Sequence, residues 1–99
     1  MPEQVVIDKD VLGWGDEHEK ELLEKYSAIL QVGKHPDLPQ RSFDQAIAAY
    51  CRDHVCDLIT GDARSYTHFF EAGVKKVSVE RVGRMEKGDK FVYVVRIVG

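Results

Sequence analysis

The stretch Cys56-Asp57-Leu58-Ile59-Thr60-Gly61-Asp62 decides the fold. It is a short run of mostly apolar residues, closed by Gly-Asp. Apolar runs of this length with turn residues at their ends form strands buried on both faces. Upstream, residues 42–54 predict a helix. Ser42 is its N-cap, Gln45 holds the capping-box position, and Phe43, Ala46, Ile47, Tyr50, Cys51 and His54 mark its inner face. Downstream, Asp62 can cap a short helix from about Ala63 to Ala72, with Gly73 ending it. A buried strand with a helix on either side in sequence is the unit of an α/β fold.

Working outward repeats the pattern. Gln4-Val5-Val6-Ile7 is a second such strand and ends in Asp8. Gly13 and Gly15 mark a loop around Trp14, and a helix is predicted from about Asp16 to Tyr26. Asp16 is the expected N-cap, Glu19 stands at the capping-box position, and His18, Leu22, Leu23 and Tyr26 share a face. Ala28 to Val32 is another apolar run, and Gly33, Pro36 and Pro39 make residues 33–41 a loop. Val74 to Val82 and Phe91 to Val98 predict two last strands in a hairpin, with the turn at residues 83–89. The order β-α-β-α-β-α-β-β implies right-handed crossovers. The expected fold is an α/β three-layer sandwich with a mostly parallel sheet and a C-terminal antiparallel hairpin. A chain of 99 residues has room for one core, so residues 1–99 are read as a single domain.

Composition narrows the function classes. The net charge of −3 gives no global attraction to nucleic acid or anionic lipid, so any RNA binding needs a local basic patch. The charge is uneven: residues 1–30 hold eight acids and three bases, residues 70–99 seven bases and four acids. No stretch approaches the roughly 18 apolar residues that span a bilayer. Met1-Pro2-Glu3-Gln4 does not resemble a signal peptide, so a cytoplasmic chain without membrane contact is expected. Cys51 and Cys56 fit no Cys-x-x-Cys spacing and read as buried thiols.

The candidate chemistry follows from topology. In a parallel sheet each strand-to-helix junction lies at the carboxyl edge, where ligands bind. Asp8 ends the first strand, Asp62 the third, and Asp44 lies in the first turn of the helix after the second. Asp10 is a fourth acid, two residues beyond Asp8. Clustered carboxylates raise one another's pKa and are normally held ionised by a cation; oxygen-only donors suit Mg2+ or Mn2+. Such an ion could support phosphodiester hydrolysis without a covalent intermediate. Each acid also has a structural role open to it, as a cap or a dipole partner. Arg41, Arg64 and Tyr66 flank the expected edge and could hold phosphate or stack a base.

Three of these stretches resemble those of PIN-like domains. Val5-Val6-Ile7-Asp8 is similar to their opening strand and first aspartate. Phe43-Asp44-Gln45-Ala46-Ile47 resembles the acidic central helix of short bacterial and archaeal members. Asp57-Leu58-Ile59-Thr60-Gly61-Asp62 resembles their apolar strand followed by Thr-x-Asp. The resemblance covers roughly residues 4–80. It implies a metal-dependent ribonuclease cutting single-stranded RNA, with Asp8, Asp44 and Asp62 as metal-site acids and Thr60 as a supporting hydroxyl. It also implies a homodimer and an antitoxin protein as partners. The sequence departs from the pattern at Arg64 and Ser65, where a further acid often stands. That departure fits the competing expectation, a PIN-like module that binds RNA or a protein without cutting. Asp8-Lys9-Asp10 after an apolar strand also resembles the opening of haloacid-dehalogenase-type phosphatases, where Asp8 would be nucleophile and Asp10 acid/base.

Overall fold

A computed structural model describes residues 2–98, the Lys87 side chain excepted. Five strands, β1 (Gln4–Ile7), β2 (Ala28–Gln31), β3 (Cys56–Thr60), β4 (Val77–Met85) and β5 (Lys90–Ile97), form one sheet. Four helices accompany them: α1 (Leu12–Glu17), α2 (Glu19–Lys25), α3 (Asp44–His54) and α4 (Tyr66–Glu71).

The strand order is β2-β1-β3-β5-β4. β1 pairs in parallel with β2 and β3, while β5 runs antiparallel to both β3 and β4. The sheet is therefore mixed, which corrects the expectation of a mostly parallel, PIN-like sandwich with an appended hairpin. The reason lies in the last two strands. Lys90–Ile97 is almost continuously apolar, and Val92, Val94 and Val95 are buried, so β5 takes the interior position beside β3. Val77–Met85 carries Glu80, Arg81 and Arg84 and stays largely exposed, so β4 becomes the edge. The hairpin thus inserts its second strand into the middle of the sheet.

Each face of the sheet carries its own core. Val5, Ile7, Ile59, Val92 and Val94 pack against Trp14 of α1, Leu22 of α2 and Tyr26. Val6, Leu58 and Val95 pack against Ile47, Ala48 and Cys51 of α3 and Phe69 of α4. Alternate residues of each strand serve opposite faces, as the pleat dictates.

Several local expectations gave way to packing. Gly13-Trp14-Gly15 is helical rather than a loop, and Asp16 lies inside α1; the chain breaks instead at His18, between α1 and α2. Ser42 does not cap α3: its hydroxyl donates to the Pro39 carbonyl at 2.6 Å, and the N-cap is Phe43, 81% exposed rather than buried. Gln45 reaches across to Glu71, tying α3 to α4. Asp62 precedes a turn, and α4 starts four residues later, at Tyr66. Gly73 does end α4, at φ +96°, where a side chain would be strained. β4 runs on to Met85 through a bulge between Arg81 and Gly83. Among the described residues no helix is long and apolar enough to cross a membrane.

Candidate functional site at the carboxyl end of β1 and β3

β1 and β3 lie side by side and in parallel, yet the segments that leave them go to opposite faces. After β1 the chain turns toward α1 and α2; after β3 it turns toward α4. At such a divergence α/β sheets generally form the crevice that binds ligands.

Asp8 sits at this point, 6% exposed. Its backbone N–H donates to the Ile59 carbonyl at 2.8 Å, which fixes it to the end of β3. One carboxylate oxygen accepts the Lys9 N–H at 2.8 Å, capping a 3-10 turn over Lys9–Val11. The other accepts the Thr60 hydroxyl at 2.9 Å. Burial pushes the Asp8 carboxyl above the usual carboxylate range, and the charge of Asp10 adds to this. The bonds from Thr60 and Lys9 oppose the shift, and the more distant charge of Asp44 adds slightly to it.

Thr60 is fully buried and organises the crevice. Its one proton goes to Asp8, and its oxygen accepts the Asp62 N–H at 3.2 Å. The Ser65 hydroxyl, buried 3.4 Å away, is then the donor of that contact. Asp10 lies on the next turn. Its carboxylate accepts the Gly61 N–H at 3.2 Å and pairs with the Lys90 ammonium at 3.0 Å. The 3-10 turn therefore aims both acids of Asp8-Lys9-Asp10 at the end of β3.

The other two acids share the edge but not the cluster. Asp62 is exposed, and its side chain accepts the Arg64 N–H at 2.9 Å. Asp44, the first residue of α3, is exposed and faces His68 at 3.6 Å. His68 also contacts Glu71 at 3.0 Å. Among the described residues, no three His, Cys, Asp or Glu side chains come together as a metal-binding group. The structure thus gathers Asp8, Asp10 and Thr60, and leaves Asp44 and Asp62 occupied locally. The donor type, hard carboxylate and hydroxyl oxygen, fits Mg2+ or Mn2+; the number of gathered acids is two.

Sequence reasoning missed Lys90 and Ser65. Lys90 lies 80 residues from Asp10, and only the insertion of β5 beside β3 brings them together. It also missed a buried network behind the crevice. Asp57, fully buried on β3, accepts the Tyr26 hydroxyl at 2.5 Å and the Arg96 guanidinium at 2.8 Å. A lone acid inside an apolar strand was the available signal for that network.

Compared with known proteins, the chain matches no family model, no curated protein and no solved structure. The site must be read from its own geometry.

Proposed function

We propose that this protein is a metal-dependent hydrolase of phosphodiester bonds in single-stranded RNA, with Asp8 as its central acid. One observation carries the reading. A buried carboxylate at the end of a central strand, its pKa raised by burial and a second acid, is clamped by Thr60 where the segments leaving β1 and β3 diverge. Such an arrangement costs stability, and functional sites are where that cost is met. The likeness of the Asp8, Asp44 and Thr60-Gly61-Asp62 stretches to PIN-like ribonucleases supports the choice of substrate.

Asp8 and Asp10 would hold Mg2+ or Mn2+. The bound ion would supply Lewis-acid polarisation of a phosphoryl oxygen and a more acidic water. The chain's own residues do the positioning. Thr60 and the Lys9 N–H fix the two oxygens of Asp8, and each oxygen keeps a lone pair for a cation. The Gly61 N–H and Lys90 fix Asp10 and offset its charge. An antitoxin protein and a homodimer are carried by the family likeness alone.

A second reading has its own support. Lys90 already compensates Asp10, Asp62 is engaged by a backbone amide, and two acids rather than three are gathered. These features favour a module that binds RNA or a protein without cutting. Fluorescent single-stranded RNA incubated with Mn2+ separates the readings. Cleavage that disappears in Asp8→Asn supports the hydrolase. Intact RNA at all Mn2+ concentrations refutes it. Phosphate release from small phosphomonoesters instead would point to Asp8 acting as a nucleophile.

A further inference from the structure

The strand register sets up a row of side chains that no motif in the sequence announces. Leu58 of β3 pairs with Val95 of β5, and both belong to the core beneath α3 and α4. Two residues along, Thr60 pairs with Tyr93, and Tyr93 pairs with Arg81 of β4. Alternation places Thr60, Tyr93 and Arg81 on that same face. Thr60 is also the residue that holds Asp8. A line perpendicular to the strands therefore runs Asp8, Thr60, Tyr93, Arg81 across β1, β3, β5 and β4. At about 4.8 Å per strand it spans about 14 Å.

The far end of this row differs sharply from the near end. Arg81 stacks its guanidinium over the Phe91 ring, 4.6 Å from the centroid, and Arg84 lies 5.9 Å from the same centroid. Asp89 pairs with Arg84 and holds it there. Phe91 is two residues from Tyr93 on the same face and is 38% exposed. An exposed ring flanked by planar cations offers two surfaces for a nucleobase, the ring itself and the outer face of the Arg81 guanidinium. The charge agrees: residues 81–91 carry four Lys and Arg against two Asp and Glu, in a chain whose net charge is −3.

We infer that Arg81, Phe91, Arg84 and Tyr93 form a platform for single-stranded RNA that lays the strand along the row toward Asp8. The inference rests on the substrate class proposed above and names the residues that would hold it. Bases stack on Phe91 and Arg81, the arginines meet the phosphates, and the backbone crosses Tyr93 to reach the crevice. An acidic site repels a polyanion, so a basic platform one strand-pair away supplies the attraction that the crevice lacks.

Fluorescence anisotropy of labelled single-stranded RNA tests this, in EDTA with the intact protein and in Mn2+ with Asp8→Asn. Arg81→Glu and Phe91→Ala are each expected to raise Kd about tenfold. Phe91→Leu and Arg81→Gln, with circular dichroism, guard against loss of fold. Lys76→Glu changes charge equally but precedes β4, at the end of that strand away from Arg84 and Phe91, and is expected to leave Kd unchanged. Unchanged Kd in the Arg81 and Phe91 variants, no RNA binding, or an equal loss in Lys76→Glu would overturn the platform. Binding that tracks the platform without cleavage would remove the hydrolase reading and leave the platform standing. Asp8-dependent cleavage with Kd indifferent to Arg81 and Phe91 would do the reverse.

Discussion

Replacing Arg96 by Met should destabilise this protein far more than the loss of an exposed ion pair. Asp57 is fully buried on β3, and Arg96 lies across from it on β5, giving its carboxylate two oxygens' worth of bonds at 2.8–3.1 Å. Tyr26, at the end of α2, donates a further contact at 2.5 Å. The network joins the parallel half of the sheet, the α1–α2 layer and the hairpin. Removing one partner of a buried pair costs about 3–5 kcal/mol, because the other charge is left without compensation. The Arg96 side chain is 37% exposed, so water can partly replace it, and about 2–3 kcal/mol is the expected loss. For a domain of this size that lowers Tm by roughly 10–20 °C. Tyr26→Phe removes one hydrogen bond to a charged group and should cost about 1–2 kcal/mol. The double variant should lose less than the sum of the two, since both act on one carboxylate. Urea unfolding of the four proteins gives the coupling directly. Alkali adds an independent check. Burial and Asp57 push the Tyr26 hydroxyl up to about 12, against 10 for a free tyrosine. Between those values the unfolded chain ionises first, so stability falls as pH rises from 10 to about 12. Tyr26→Phe should show a smaller fall over that window. A Tm change of only about 2 °C or less in Arg96→Met would show that the pair behaves as a surface contact and would refute the reasoning.

Three further outcomes are expected. Asp8→Asn should stabilise the fold at neutral pH: the raised Asp8 pKa means that its favourable, protonated state is complete below about pH 3.8 and is lost as pH rises through its folded value. A wild-type protein at least as stable as Asp8→Asn at pH 7 in urea titrations would contradict this. Val55 ends α3 at φ 53°, a left-handed conformation that a β-branched side chain resists, and it is 60% exposed. Val55→Gly should therefore raise stability by about 0.5–1 kcal/mol, and a lower Tm would show the conformation to be unstrained. Gly83→Ala would place a Cβ 2.7 Å from Trp14 Nε1 and 3.0 Å from the ring carbons of a buried indole. It should cost about 1–3 kcal/mol and shift the tryptophan emission; an unmoved spectrum would mean that the bulge absorbs the methyl.

How much of this was legible in the chain follows from the range of each interaction. Val5-Val6-Ile7 and Leu58-Ile59-Thr60 announced buried central strands because their patterns are local, and Asp8 at a strand end marked the crevice for the same reason. Gly73 marked the end of α4 because only its φ, a property of one residue, was at issue. The caps at Asp16, Ser42 and Asp62 misled, because each side chain had a competing partner, or a continuing helix, that no window of a few residues contains. The sequence by itself determined the succession of strands and helices, the polar character of β4 and the apolar character of β5. Tertiary structure alone decided that β5 slides between β3 and β4, which made the sheet mixed. That single placement brought Lys90 to Asp10, Arg96 to Asp57 and Arg81 into line with Thr60. Pairings between residues dozens of positions apart depend on which strand buries more apolar surface beside its neighbour. That comparison is made by the whole sheet, not by any segment of it.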